Sequence, residues 1–272
     1  MNQDREPLPS RVEGLPQLPV EALLVLDEGL QTLGLADLPD PIRTGLIDHL
    51  RLMLAWNQSI NLTSIRDPET AVREHILDSL SALSILREQR IDTFLDLGSG
   101  GGFPGLPLAL VLPARRTLLV ESVGKKAAFL SAAAAFLVEA AGPDAGDLDV
   151  FAGRAETLAA DGRHRERWPA VVARAIAPLA TLAEIALPLV APGGVLIAWK
   201  RRPLDAELAA AGPSLSLLGA APPVLRAVPI AGLEDHVLVV VEKLASTPAA
   251  YPRDPAQRRR RPFPAGDRLP SP

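Results

Sequence analysis

The chain has 272 residues, 48% of them hydrophobic and 22% charged, enough apolar material for one sizeable soluble core with extensions. It contains no cysteine, which excludes disulfides, thiolate metal sites and thiol nucleophiles. A net charge of −4 taken alone speaks against nucleic acid, and His49, His75, His164 and His236 lack metal-ligand spacing, so no metal is expected. Residues 1–19 are polar and proline-rich without an apolar core of signal-peptide length, and read as a flexible tail. Residues 20–90 read as helical: Ile42, Leu46, Leu50 and Leu54 recur four apart, and Asp67-Pro68 starts a further helix whose buried stripe is Val72, Ile76, Leu80 and Leu83. On that helix His75, Asp78 and Ser79 share a neighbouring stripe, placed either to contact a ligand or, the favoured reading, to brace the helix against a sheet. Trp56 reads as core.

Residues 91–244 alternate strand and helix. Thr93 to Leu97, Thr117 to Val120, Val150-Phe151, Val171 to Ala173 and Val195 to Trp199 read as five strands, and His236 to Val241 as a late one. Lys125 to Ala141 and Leu179 to Val190 read as helices. This order predicts a Rossmann-like α/β fold, a mostly parallel seven-stranded sheet with helices on both faces behind the N-terminal helical region. The last two strands show no clear helix between them, so an antiparallel hairpin is expected at one edge. The longest charge-free run, Leu208 to Leu225, carries Gly212, Pro213, Pro222 and Pro223 and is no membrane span. Residues 245–272 are rich in proline and arginine and read as an extended or disordered arm. A soluble, cytoplasmic monomer is expected.

The chemistry centres on Asp96-Leu97-Gly98-Ser99-Gly100-Gly101-Gly102, a glycine turn directly after the first strand. Glycines there allow a tight turn and close backbone approach to a ligand. Glu121 follows Asp96 by 25 residues, at the end of the next strand, where a carboxylate accepts from both hydroxyls of a ribose. Asp96 at the ligand end would repel a pyrophosphate but suits a cationic ligand such as S-adenosylmethionine. Phe103 stands where a dinucleotide fingerprint would place its third glycine, which counts against NAD.

With these residues the chain resembles the bacterial small-subunit ribosomal RNA guanine-N7 methyltransferases, the RsmG or GidB family. The resemblance rests on Trp56-Asn57 with Asn61-Leu62-Thr63, on His75 through Leu80, and on Leu95 through Gly100 with Phe103-Pro104-Gly105. Glu121-Ser122, Lys125-Lys126, Phe129-Leu130, Gly153-Arg154-Ala155-Glu156, Arg174-Ala175 and Lys200 extend it, and Tyr251-Pro252-Arg253 with Arg261-Pro262 is similar to the family's ending. It implies S-adenosylmethionine as cofactor, contacted at Gly98, Phe103, Glu121, Ala155, Glu156 and Arg174, with Asp96, Gly100 and Ser122 completing the expected set. It implies 16S ribosomal RNA or the small ribosomal subunit as partner. One departure is Arg201, which stands where the family has a glycine after the fifth-strand lysine.

Methyl transfer to nitrogen is an in-line displacement that needs alignment above all. The chain lacks the cysteine of cytosine-C5 methyltransferases. Where exocyclic-amine methyltransferases carry Asn-Pro-Pro-aromatic, it has Arg174-Ala175-Ile176-Ala177-Pro178. Guanine N7 has a free lone pair and needs no base. Arg174 has two readings: it positions cofactor or guanine O6, or it forms a salt bridge to Asp96 or Glu156. Lys125, Lys126, Lys200, Arg201 and Arg202 are either one phosphate-binding face or solvated surface, as are Arg163-His164-Arg165 with Arg167 and the run Arg258 to Arg261. Competing functions are methylation of another RNA, a protein or a small molecule, and a noncatalytic ribosome-associated protein.

Overall fold

The computed structural model describes residues 8–112, 114–141 and 146–263. Residues 1–7 and 264–272, the outer parts of the two expected tails, lie outside them. Helices α1 (Val20–Thr32) and α2 (Asp40–Asn57) come first. A broken helix follows: α3 (Pro68–Ala71), a π-helical segment (Val72–Leu77) and α4 (Asp78–Leu80), then α5 (Leu83–Glu88). Asp67 caps α3 by accepting from Thr70 N at 2.8 Å. The stripes expected on these helices face inward, with Leu46, Leu50, Val72, Ile76, Leu80 and Leu83 all buried.

Seven strands then form one sheet: β1 (Thr93–Leu97), β2 (Arg116–Glu121), β3 (Asp147–Ala152), β4 (Trp168–Arg174), β5 (Val190–Arg201), β6 (Val224–Ala227) and β7 (His236–Glu242). Their spatial order is β3-β2-β1-β4-β5-β7-β6. The first five pair in parallel, and β7 runs antiparallel to both neighbours. Helices α6 (Gly105–Val111), α7 (Gly124–Ala141), α8 (Ala155–Ala160), α9 (Leu179–Ala186) and α10 (Asp205–Leu217) complete the layers.

Two elements differ from the sequence-based expectation. The last strands are not a simple edge hairpin, because α10 and β6 lie between β5 and β7, and β7 sits inside the sheet. Helix α10 carries Pro213 inside it and has no apolar stripe, so periodicity cannot find it. The helix expected over Leu179 to Val190 stops at Ala186, and Val190 already belongs to β5.

Alternation along the strands decides which residues meet. Phe94, Leu119, Val172 and Ile197 face a core shared with α2, α7 and the broken helix, whereas Leu95, Leu97, Val120, Val171 and Leu196 face α8, α9 and α10. Asp96 has the parity of Phe94 and so points toward the N-terminal helices.

Both tails are docked where the structure describes them, a correction to the expected flexible arms. Arg51 donates to the carbonyls of Val12, Leu15 and Pro16, and Trp56 Nε1 to that of Pro9 at 2.6 Å. Residues 245–263 cross the opposite face and include α11 (Pro255–Arg260).

Candidate active site

Strand order reverses between β1 and β4, so the crevice of the sheet opens there, at the carboxyl ends of the strands. The glycine turn occupies that point. Gly98, Gly100 and Gly102 hold φ of +70°, +55° and +85°, which side chains resist. Gly98 and Ser99 donate to Val120 O at 2.8 and 3.1 Å, tying the turn to β2. A Cβ on Gly100 would meet nothing closer than Gly98 O at 3.8 Å, so the turn is open on that side. Glu121 Oε2 accepts from Gly100 N at 3.0 Å and Oε1 from Val123 N at 2.7 Å. Its carboxylate therefore sits against the turn, nearly buried.

Asp96 departs from its expected place at the ligand end. It is fully buried one layer beneath the turn, where Oδ2 accepts from Gly105 N at 2.9 Å. Oδ1 is buried without a partner among the described residues. Burial pushes this carboxyl up to about 7, against the pull of the Gly105 N–H and the Arg174 charge.

Arg174 ends β4, and neither expected salt bridge forms. Its partner is Asp78, at 3.3 Å, while Nη1 also donates to Glu74 O at 2.6 Å. Asp78 is buried; its other oxygen accepts from His236 Nδ1 at 3.1 Å and its carbonyl from Trp199 Nε1 at 2.8 Å. The Asp78 carboxylate thus joins the broken helix to β4 and β7, and its backbone carbonyl joins it to β5. The π-helical turn matters here, because it presents the Glu74 carbonyl to Arg174 and the His75 carbonyl to Ser79 Oγ.

Arg174 Nη2 lies 3.4 Å from His75 Nδ1. A guanidinium only donates, so Nδ1 accepts and Nε2 carries the proton given to Thr63 Oγ1 at 2.9 Å. Asn57 folds the loop that delivers Thr63: its Oδ1 accepts from Leu62 N and Thr63 N, and its Nδ2 donates to Thr63 O. The motif Trp56-Asn57 with Asn61-Leu62-Thr63 is thus a device for holding His75. Trp56 itself is core, edge-on to Phe129. Phe103 stacks with His75 and His49 at centroid distances of 4.9 and 4.3 Å, and Arg174 lies over it at 5.6 Å. Burial pushes His49 down to about 4, and burial with the Arg174 charge pushes His75 to about 3. Both rings are neutral at neutral pH. Sequence reasoning does not single out His49 or His236. Each looks like an ordinary residue of an amphipathic helix or a strand start, and only packing brings His49 Nε2 to Gly101 O at 2.8 Å.

On the far side of the crevice Ala155 is buried and Glu156 pairs with Arg258 of α11. Ser122 and Lys125 are exposed, and Lys126 is half-buried. The expected basic face does not assemble. Lys200 is largely buried, pairing with Glu207 at 2.6 Å and donating to Ala177 O at 2.7 Å. It latches the loop after β4, in which Ala175 is held at φ +55° and Ile176 packs on Gly98. Arg201 pairs with Glu74 at 2.5 Å. Arg202 is exposed at the end of β5, three strand spacings or roughly 14 Å from the Lys125–Lys126 side of β2. Arg165 is also spent internally, on Tyr251 O and Thr247 O, and Arg163 pairs with Asp161.

A glycine turn at the switch point of this sheet, with an acidic residue ending the second strand and the seventh strand antiparallel, defines a Rossmann-like class I S-adenosylmethionine-dependent methyltransferase. Residues 43–229 match the family model for rRNA small subunit methyltransferase G. The Ribosomal RNA small subunit methyltransferase G of Roseiflexus sp. (strain RS-1) is 44% identical over 77% of this chain and 86% of that protein. The protein of the same name from Roseiflexus castenholzii is 45% identical over 73% and 82%. The chain belongs to the rRNA small subunit methyltransferase G family. A solved branched-chain polyamine synthase mutein from Thermus thermophilus shares the fold, with TM-score 0.50 and 16% identity over 74% of this chain and 64% of that one. Among the described residues no helix is long and apolar enough to cross a membrane, and no cluster of three or more His, Asp or Glu is placed to hold a metal ion.

Proposed function

We propose that the protein transfers a methyl group from S-adenosylmethionine to N7 of a guanine in 16S ribosomal RNA, acting in the cytoplasm as a monomer on the RNA or the small ribosomal subunit. The observation that carries this reading is the state of the titratable groups around the β4 end. Asp78 is engaged by Arg174 and His236, His75 by Thr63 and Arg174, His49 by Gly101, and Glu121 by two loop amides. The arrangement suits an acceptor that arrives with its own lone pair.

The crevice fits the cofactor. The open side of Gly100 and the carboxylate of Glu121 offer a small acidic cradle, and the buried, partnerless Oδ1 of Asp96 adds a carboxyl beneath the turn. Glu121 accepts the ribose hydroxyls, with Ser122 beside it. Gly100 leaves room for close approach to the backbone, Gly98 shapes the turn beneath Ile176, Phe103 walls the crevice, and Ala155 and Glu156 border the adenine. S-adenosylmethionine, when bound, supplies an electrophilic methyl group on a sulfonium. Arg174 positions from the side. Its pairing with Asp78 offsets its charge, so it opposes little of the positive charge that develops on N7.

The deciding experiment locates the methyl group on ribosomal RNA incubated with enzyme and cofactor. N7-methylguanine, cleaved by borohydride and aniline, is expected, with a single-turnover rate at saturating cofactor and RNA that is nearly flat between about pH 6 and 9. A methyl group on an exocyclic nitrogen, or a rate rising tenfold per pH unit through neutrality, would overturn the reading.

Asp96 gives a second, independent check. Its carboxyl is raised to about 7 by burial, and a bound cation favours the ionised form. Cofactor affinity is therefore expected to fall by up to about tenfold per unit as pH drops below 7, with proton release on binding near pH 6. Asp96→Asn should abolish that dependence. The sign for stability is opposite: a raised carboxyl stabilises the cofactor-free protein below about pH 4 and loses that contribution as pH rises to 7. His49 and His75, pushed down, contribute above pH 6.5 and lose it toward 4 and 3. Calorimetry in buffers of different ionisation enthalpy reads the proton release directly.

A further inference from the structure

The C-terminal segment is fastened far more tightly than its composition suggests. After β7, Lys243 is buried and donates to Leu187 O and Thr247 Oγ1 at 2.6 Å each. Arg165 holds Thr247 O and Tyr251 O. Arg253 then makes a bidentate pair with Glu184, a fully buried acid of α9, at 2.8 and 2.6 Å. The Arg253 guanidinium lies over the stacked rings of Tyr251 and Phe263. An Asp254–Gln257 capping box starts α11, Arg258 Nη1 donates to Arg253 O at 2.7 Å, and its Nη2 reaches Glu156.

Tyr251 and Phe263 of this segment pack on the core, but α11 itself buries no residue. What it does present is cations. Arg259, Arg260 and Arg261 are exposed and form no ion pair among the described residues. Arg258 anchors them at the first turn of α8, just beyond the carboxyl end of β3 and so on the rim of the crevice. Arg154, exposed, stands immediately before the first turn of the same helix. Guanidinium groups recognise phosphate by paired hydrogen bonds, and holding them in place beforehand lowers the ordering cost of binding.

We propose that α11 is an RNA-docking element. Arg259, Arg260 and Arg261 hold backbone phosphates of the RNA strand that delivers the target base, and Arg253 and Arg258 are the anchors that fix them on the α8–α9 face. The inference rests on the RNA substrate proposed above. It also replaces the basic face anticipated from sequence, two of whose five members, Lys200 and Arg201, are neutralised by Glu207 and Glu74.

The test uses the full chain and a 16S ribosomal RNA transcript. In Arg259→Gln/Arg260→Gln/Arg261→Gln the log–log salt slope of RNA affinity should shrink by about 2 to 3, at roughly 0.7–0.9 for each phosphate that the variant no longer neutralises. S-adenosylmethionine affinity and the melting temperature should not move. Arg253→Gln keeps those three cations but releases the anchor, and should weaken RNA binding more than removal of one charge explains. An unchanged slope in the triple variant overturns the proposal, as does wild-type binding that is insensitive to salt. Methylation of the transcript by wild-type enzyme is scored separately. A reduced slope without N7 methylation sinks the base assignment and keeps the docking element, and normal methylation with an unchanged slope does the reverse.

Discussion

Asp78→Ala is expected to destabilise the protein by about 3–5 kcal/mol, the usual consequence of removing one partner from a buried ion pair. Asp78 is buried and accepts from Arg174 and His236 through separate oxygens. Its loss leaves a guanidinium under the Phe103 ring with only the Glu74 carbonyl and His75 Nδ1 as acceptors, and leaves the His236 N–H with none. Urea denaturation of the two proteins measures the loss. Asp78→Ala/Arg174→Met removes both charges and should recover much of it, because the two sites share one interaction. A cost under about 1 kcal/mol for the single variant would mean that Asp78 does not join helix to sheet as described. Cofactor binding should weaken in both variants, because Arg174 is either freed or gone.

The parts of this arrangement that lie close in sequence are legible there. The Asp67 cap, the stripe from Val72 to Leu83, the glycine turn and the acid ending the second strand are local patterns with local physical causes. The Asp78–Arg174 pair is different, since 96 residues separate its members. A sequence shows that both are charged and polar but not which carboxylate meets which guanidinium, so Asp96 and Glu156 were equally reasonable partners. Lys200 shows the same limit over a shorter span: the charge is visible, but its neutralisation by Glu207 depends on where the chain goes after β5. Proline-rich ends mislead for a related reason. Residues 8–19 are held by Arg51 and Trp56 through backbone carbonyls, and every residue offers a carbonyl. Helix α10 and the four-residue edge strand β6 are missed because they lack the periodicity that packing on one face normally imposes.

Within the glycine turn, two residues with the same backbone demand should respond very differently to a methyl group. Gly100 and Gly102 both have positive φ, which costs roughly 1–2 kcal/mol for an L-residue. At Gly100 that is the whole stability penalty, since the added Cβ enters open space. At Gly102 the Cβ would lie 2.5 Å from Leu106 Cδ1 and 2.7 Å from His49 Nε2. Leu106 is buried at the start of α6, and His49 is pinned by its bond to Gly101 O and its stacking on Phe103, so neither yields easily. Overpacking of this kind adds about 1–3 kcal/mol. Gly102→Ala should therefore cost about 2–5 kcal/mol and disturb the wall of the crevice from below. Gly100→Ala should cost about 1–2 kcal/mol and act on cofactor affinity, because its methyl group occupies the side of the turn reserved for the ligand. Parallel denaturation and cofactor titration of the two variants separate these effects. Equal destabilisation would place the strain in the backbone alone, and a Gly100→Ala protein of normal cofactor affinity would move the ligand away from the turn.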